Sequence, residues 1–324
     1  MEAAQGINVP QLIKLKSEIV DLLRLDEKMW QQRIKEHWMV LRDRNPKYFH
    51  TRASQRFCRN RIVELRNTDG ALVSGDANVL VMVLAYYKNL FSSSRQNEID
   101  EVVQSIKFVI TEDMNRSLAS AFSWVEIETA LNQMAPLKAP RPDRMPPIFF
   151  QNFWSDIGDD VVQAILSCLN SSNIISGLNH TFISIIPKVK NPEHATEFCS
   201  IALCNILYKL VSKVLANRLK KVLPHIILES QSAFQFDKVI SDNILVAFET
   251  LHHMKRKKGG RMGHMALKLD MSKAYDRLEW VFLQRVMEKM GFHARWVGWI
   301  MECVQSVTYS VLINGGRKNF TMFG

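Results

Sequence analysis

Apolar residues recur along most of this chain at intervals of three, four and seven, which is the spacing of a helix that buries one face. Ser123 followed by Glu126 matches a capping box, Asp242 is a candidate helix cap, and Gly291 is a candidate helix end. The segments predicted to be helical on this basis are 11–43, 76–91, 123–134, 156–169, 206–222, 242–254, 278–290 and 296–303.

Other segments alternate between apolar and polar residues, the period of a half-buried strand. The turn residues Asn67 to Gly70 separate two short apolar runs and predict a hairpin, as Asn314 and Gly315 do further on. The strands predicted in this way lie at 62–65, 71–73, 181–186, 264–270 and 309–313. Helices and strands mixed without a fixed repeat predict an α+β fold.

Composition excludes several classes of protein. The chain has 324 residues, and its longest apolar run, Val79 to Ala85, is far too short for a membrane span. The first residues lack the pattern of a secretory signal, so an intracellular protein is expected. Five scattered cysteines support neither a disulfide framework nor a zinc finger, and His194, Cys199 and Cys204 lack an evident fourth ligand for a metal.

Positive charge is concentrated in one segment. The chain carries a formal charge of +10, and between Arg42 and Arg66 eight basic residues face two acidic ones, a net charge of +6. Aromatic residues lie among them, so the segment pairs cations for phosphates with rings for bases and predicts contact with nucleic acid. The alternative is a solvated helix face. Further basic clusters are Lys209, Lys213, Arg218, Lys220 and Lys221, and Lys255, Arg256, Lys257, Lys258 and Arg261.

Two carboxylates follow the predicted strand 264–270. Asp270 stands at its end and Asp276 at the start of the next helix. A strand-end carboxylate can hold Mg²⁺ together with a backbone carbonyl, here that of Met271, while substrate phosphates complete the coordination. The alternative makes Asp270 a turn residue and Asp276 a helix cap.

The run from Leu267 to Trp280 resembles the first catalytic-aspartate motif of LINE-type (non-LTR) retrotransposon reverse transcriptases, particularly those of plants. Other stretches resemble the same family, and they follow one another in the order the family shows. These stretches are 45–54, 137–140, 179–188, 203–219, 231–234 and 242–245.

The resemblance implies an RNA-directed DNA polymerase that copies an RNA template from a DNA primer with deoxynucleotides and Mg²⁺. It implies no membrane partner and a location in the nucleus. It implies the fingers and part of the palm of a right-hand polymerase over 111–324, with a motif-rich core from about 180. A helical, basic linker region over 1–110 would precede them.

The same resemblance implies roles for single residues. Asp270 would be catalytic and, with Met271, metal-binding, because two metal ions assist nucleotidyl transfer. Tyr275 falls where the family places an aromatic ring under the sugar, and Lys188 matches a lysine that contacts the triphosphate. The charge pattern adds the candidate nucleic-acid contacts Arg52, Arg56, Arg59, Arg61, Lys209 and Lys213.

The chain also departs from the family. Cys199 and Ser200 stand where an Arg-Pro pair is usual, and the loops at 140–144 and 236–238 lack the usual glycines. The Asp-Asp hairpin that would follow residue 315 does not occur among the 324 residues. We therefore expect this chain to be truncated and unable to extend a primer by itself. The alternative to an enzyme is a non-catalytic remnant that binds nucleic acid.

Overall fold

The computed structural model describes residues 14, 17–22, 46–93, 99–137, 142–143, 145–228, 230–231, 238–257, 264–271, 273–314 and 316–318. The longer helices in this part of the chain are α1 (Pro46–Asn60), α2 (Asp76–Leu90), α3 (Ile99–Gln104), α4 (Glu112–Leu118), α5 (Trp124–Asn132), α6 (Pro147–Asn152), α7 (Trp154–Ser171), α8 (Ile206–Ile226), α9 (Ile240–Arg256), α10 (Trp280–Met290) and α11 (Ala294–Gln305). The strands are β1 (Glu64–Arg66), β2 (Leu72–Ser74), β3 (His180–Pro187), β4 (Phe198–Cys204), β5 (Thr308–Ile313) and β6 (Gly316–Lys318).

The strands form two sheets. β1 and β2 make the hairpin that the turn residues predict, and the larger sheet has the order β4-β3-β5-β6. β3 pairs antiparallel with β4 and parallel with β5, with Thr181 opposite both Cys204 and Tyr309. β5 returns into β6 at Asn314, whose backbone φ is 51°. This mixture of helices and a sheet with mainly antiparallel pairs is an α+β architecture.

A helical core lies on one side of the molecule. It is built from the apolar faces of α5, α7, α8 and α11, and Trp296 is its largest fully buried side chain. The indole Nε1 of Trp299 donates a hydrogen bond of 2.6 Å to the carbonyl of Leu169, so this buried polar group is satisfied. The periodicity of these segments therefore predicts both their helices and the faces that they bury.

A second core covers one face of the larger sheet. The β1–β2 hairpin and α2 supply Leu65, Val79 and Tyr87, which pack in one cluster with Ile183 of β3 and Val311 of β5. Asn314 joins the two parts, because its Oδ1 accepts from the Ile62 N–H at 2.9 Å and its Nδ2 donates to the Ile62 carbonyl at 2.9 Å. Residues 62–91 are thus docked on the sheet.

Arg218 is a structural residue, although the sequence places it in a basic surface cluster. Only 4% of it is exposed. Its guanidinium donates to both carboxylate oxygens of Glu126, at 2.7 and 2.9 Å, and lies 3.7 Å above the ring centre of Phe122. The expectation that it belongs to a nucleic-acid surface is therefore wrong, because its guanidinium is buried in contacts that link α8 to the start of α5.

The predicted strand over 264–270 is absent. In the structure this segment is irregular, and Leu267 is 72% exposed. Alternation alone does not make a strand, because its backbone N–H and C=O groups need a neighbouring ladder. The strand β4, which the pattern did not predict, lies beside β3 and supplies such a ladder. Asp242 is also not the cap of α9: the cap is Val239, whose N–H donates to the Asp242 carboxylate at 3.2 Å.

The other predicted elements agree with the structure, apart from shifts of a few residues at their ends. The capping box of α5 is present, with the Ser123 N–H donating to Glu126 at 2.9 Å. Gly291 ends α10 with a φ of 95°. The predicted helix over 11–43 lies mostly outside the described residues, of which Lys14 and 17–22 are helical.

Candidate functional site

A cleft of about 730 Å³ lies between the C-terminal end of α2 and the turn 273–277 that leads into α10. Tyr309 of β5 also lines it, so three separate parts of the chain contribute. Its lining includes Tyr86, Phe91, Tyr275, Asp276, Trp280 and Tyr309. Aromatic side chains lie among polar and charged ones such as Asn89, Arg277 and Glu279, and a cleft of this size with such a mixed lining has the form of a small-molecule site.

Aromatic rings connect the two walls of the cleft. The ring of Tyr87 stacks on Phe91 with centroids 5.8 Å apart, and Phe91 stacks on Tyr309 at 5.3 Å with planes 20° apart. Such ring pairs stabilise each other beyond their buried area and hold one another in place. Phe91 and Tyr309 therefore form an ordered aromatic wall of the cleft, and such a wall suits apolar contact with a nucleotide.

Asp276, Arg277, Glu279 and the tyrosine hydroxyls are among the polar groups of the cleft. Burial and then the negative charge of Asp276 raise the pKa values of Tyr86 and Tyr309, and burial raises that of Tyr87 to about 12. These phenols remain neutral at physiological pH and keep their O–H donors. The Asp276 carboxylate lies 3.7 Å from the ammonium of Lys273, in the same turn.

Tyr275 lies at the mouth of this cleft with 77% of its surface exposed. The structure therefore brings this predicted substrate contact together with Asp276 and with the stacked rings of Phe91 and Tyr309. Sequence reasoning missed Tyr86, Phe91 and Tyr309. Each resembles an ordinary core aromatic in its own helix or strand, and only the docking of residues 62–91 on the sheet brings them beside Tyr275.

Asp270 and Met271 lie in the exposed irregular segment 264–271, before the cleft turn. A carboxylate and a backbone carbonyl are the hard oxygen ligands that Mg²⁺ prefers, and Mg²⁺ commonly takes one or two protein carboxylates with water and substrate phosphates. The donor set therefore fits the ion. The described residues contain no group of three or more histidine, cysteine or acidic side chains able to hold a metal, and all five cysteines are free thiols.

Lys188 lies away from the cleft. It is exposed just after β3, and its backbone N–H donates to the carbonyl of Glu197 at 2.8 Å. Thr181 is the residue of β3 level with Tyr309, and Lys188 follows it by seven residues of extended chain, or about 23 Å. The structure does not bring the predicted triphosphate lysine to the cleft that holds Tyr275.

The predicted nucleic-acid residues form two surfaces. Arg52, Arg56 and Arg59 are exposed and recur on α1 at i, i+4 and i+7, so they share one face, and the exposed Arg61 follows the helix. We call Arg52, Arg56, Arg59 and Arg61 the α1 basic face. Phe57, on the same helix, is also exposed.

The second surface lies on α8, where Lys209 and Lys213 are half-buried and one turn apart. Arg218, on the same helix, is turned into the protein. Arg66 is likewise engaged, because it forms an ion pair with Glu193. The side chains of the α1 basic face are all exposed, as are those of Lys255, Arg256 and Lys257 at the end of α9.

Comparison with known proteins gives two matches. Residues 186–322 match the family described as reverse transcriptase (RNA-dependent DNA polymerase). The chain is also 25% identical over 284 residues to the "Transposon TX1 uncharacterized 149 kDa protein" of Xenopus laevis. That alignment covers 87% of this chain and 21% of the relative, so the chain spans about a fifth of the relative's length. In the described part of the chain no helix is long and apolar enough to cross a membrane.

Proposed function

We propose that this chain holds an RNA template, a DNA primer and a deoxynucleotide for RNA-directed DNA synthesis, because it carries a reverse transcriptase domain of the non-LTR retrotransposon type. The observation that supports this most is the cleft that joins Tyr275, Asp276 and the stacked rings of Phe91 and Tyr309. Ring faces bind bases whatever their sequence, as a polymerase requires.

Each part of the site has a distinct task in this proposal. Tyr275 packs against the sugar of the incoming deoxynucleotide and excludes a 2′-hydroxyl, while Phe91 and Tyr309 shape the apolar wall. The carboxylate of Asp270 and the carbonyl of Met271 would hold Mg²⁺. When bound, the ion neutralises charge on the phosphates and activates the attacking 3′-hydroxyl. Lys188, at the far end of β3, lies too far from the cleft for the triphosphate and would contact phosphates of the template or the primer.

The same proposal extends to the fold and to the location of the protein. We assign the β4-β3-β5-β6 sheet and its helices to the fingers and part of the palm of a right-hand polymerase within 111–324. In this assignment residues 1–110 would be a helical, basic linker region before them, of which 62–91, with the β1–β2 hairpin, pack on that sheet. Since the primer would be chromosomal DNA, the protein would act in the nucleus.

Replacement of Tyr275 by alanine tests the nucleotide site. We expect deoxythymidine triphosphate with Mg²⁺ to bind the full chain about tenfold more weakly in Tyr275→Ala, because the variant loses the ring that packs against the sugar and a loss of about 1.4 kcal/mol is a factor of ten. Tyr275→Phe, which keeps the ring, should bind like the original chain. Isothermal titration calorimetry measures each affinity.

The matched control for this experiment is Phe57→Ala, which removes an exposed ring far along the chain, on α1. Its affinity for deoxythymidine triphosphate should not change. Equal affinities of the original chain and of Tyr275→Ala would contradict the assignment of the cleft. The alternative, a non-catalytic protein that binds nucleic acid, would be favoured if RNA bound while the triphosphate did not.

Removal of three charges from the α1 basic face tests the contact with nucleic acid. We expect the affinity for single-stranded RNA to fall steeply with salt, because each phosphate contact contributes about −0.7 to the log-log slope. Replacing Arg52, Arg56 and Arg59 by alanine should reduce the magnitude of that slope by about 2. Fluorescence anisotropy of a labelled RNA over a range of salt concentrations measures the slope.

The control for this prediction removes the same charge elsewhere, with Lys255, Arg256 and Lys257 at the end of α9 replaced by alanine. If binding depends on the α1 basic face, this variant should keep the original slope. An equal loss in both variants would show a response to net charge alone, and an unchanged slope in the α1 variant would place the contacts on another surface, such as α8.

A further inference from the structure

Lys273 has a backbone conformation that lysine rarely adopts. Its φ is 55°, in the left-handed region, where glycine and asparagine are favoured. The other non-glycine residues described with positive φ have ordinary reasons: Ser172 ends α7, and Asn314 turns the β5–β6 hairpin. A strained residue that no helix end or hairpin explains is a reason to look for a function nearby.

Two contacts with the following residues hold this conformation. The side chain of Lys273 is only 13% exposed, which is unusual for lysine, and its Nζ lies 3.7 Å from Oδ2 of Asp276. Its carbonyl accepts a hydrogen bond of 3.1 Å from the N–H of Arg277. Tyr275 lies between the residues that these two contacts join. Lys273, the first residue of the turn, therefore closes the turn that places Tyr275 at the mouth of the cleft.

We propose that Lys273 is a positioning residue for deoxynucleotide binding: its ion pair with Asp276 holds the turn 273–277 in the form that places Tyr275 at the mouth of the cleft. The inference rests on the proposed function, since it names what shapes the nucleotide site. Glycine or asparagine would adopt the same φ with less strain, but neither supplies an ammonium group.

The ammonium also matters for charge. Asp276 lines the cleft, and an unpaired carboxylate there would repel the triphosphate of an incoming nucleotide. Lys273 neutralises that carboxylate without entering the cleft lining itself. The turn therefore has a cation at its first residue, and the Lys273–Asp276 pair contributes no net charge to the cleft, which Arg277 and Glu279 also line.

The first experiment uses no nucleotide, so it is independent of the proposed function. Amide hydrogen exchange of Arg277, whose N–H is bonded to the Lys273 carbonyl, reports on the turn. We expect exchange to be about 3- to 10-fold faster in Lys273→Asn, which tolerates the same φ but lacks the charge. The double variant Lys273→Asp with Asp276→Lys reverses the pair and should restore slow exchange. Lys107→Asn, at an exposed lysine elsewhere, is the control and should leave the rate unchanged.

The second experiment measures binding of deoxythymidine triphosphate with Mg²⁺ to the full-length variants. Lys273→Asn should bind several-fold more weakly than Lys107→Asn, while Lys273→Arg should retain most of the affinity. Unchanged exchange at Arg277 in Lys273→Asn, or no restoration by charge reversal, would overturn the positioning role. A third outcome is faster exchange in Lys273→Asn and slow exchange in the charge-reversed double variant, while the original chain binds no triphosphate. That outcome would support control of the turn by Lys273 and would refute the proposed function instead.

Discussion

Arg218→Met is expected to lower the free energy of unfolding by about 3–5 kcal/mol, the range for removing one partner of a buried ion pair. The guanidinium donates to the Glu126 carboxylate and also to the carbonyls of Leu118, Ser120 and Ala121, at 2.9, 2.6 and 2.8 Å. Methionine fills a similar volume but leaves these acceptors unpaired. The connection between α8 and the segment that joins α4 to α5 would be lost.

Urea denaturation measures this loss as a lower midpoint with an unchanged slope. Arg218→Lys keeps the charge but lacks the planar fork that reaches several acceptors, so an intermediate loss is expected. Lys220→Met, at an exposed position on the same helix, is the matched control and should change stability by less than about 0.5 kcal/mol. A loss below about 1 kcal/mol in Arg218→Met would contradict the structural role.

The same network predicts a dependence on pH. The hydrogen bond from Arg218 is the main cause that lowers the pKa of Glu126 in the folded protein. A lowered pKa stabilises the fold above the unfolded value of about 4.3, and this contribution is lost as pH falls through the lower folded value. Arg218→Met should therefore show a weaker loss of stability on acidification than the original chain, in addition to its lower stability at neutral pH.

Asn314→Gly is expected to lower the free energy of unfolding by about 2–4 kcal/mol, because it leaves both backbone groups of the buried Ile62 without their partner. Glycine adopts the positive φ of this position at no cost, so the variant isolates the amide contacts from the turn conformation. The Asn314 Nδ2 also donates to the Asp76 carboxylate at 2.9 Å, and that contact is lost as well.

Thermal and urea unfolding measure this effect, and hydrogen exchange locates it. Residues 62–91 should lose protection more than the helical core, since Asn314 links them to the sheet. Thr68→Gly, in the exposed turn of the β1–β2 hairpin, is a control that adds a glycine without breaking such a link. Equal losses in the two variants would show that the added glycine, and not the missing amide, is responsible.

Local patterns predicted most helices because the information for them lies within a few residues. The α5 capping box is an example, since Ser123 and Glu126 are neighbours on one turn. The second role of Glu126 could not be predicted in this way. Its partner Arg218 lies 92 residues further on, and a basic residue in a basic helix gives no sign that it is buried.

The strands show where periodicity is insufficient. Segment 264–270 has the better alternation, yet Phe198–Cys204 is the strand, because a strand forms only where a neighbour offers a matching ladder. The same reason limits prediction of the cleft. The motif around Asp270 pointed to Tyr275, whereas Tyr86, Phe91 and Tyr309 reach it through tertiary packing that no local pattern records.

The contacts between distant parts of the chain also constrain how the protein is made. His180 of β3 meets Thr308 of β5 across 128 residues, and Ile62 meets Asn314 across 252. A ribosome adds roughly 5–20 residues each second, so the apolar side of α2 would wait on the order of 10–50 s for the strand that covers it. Apolar surface that is exposed in this way favours aggregation and is the kind that chaperones cover, and a pause in synthesis before residue 308 would prolong its exposure.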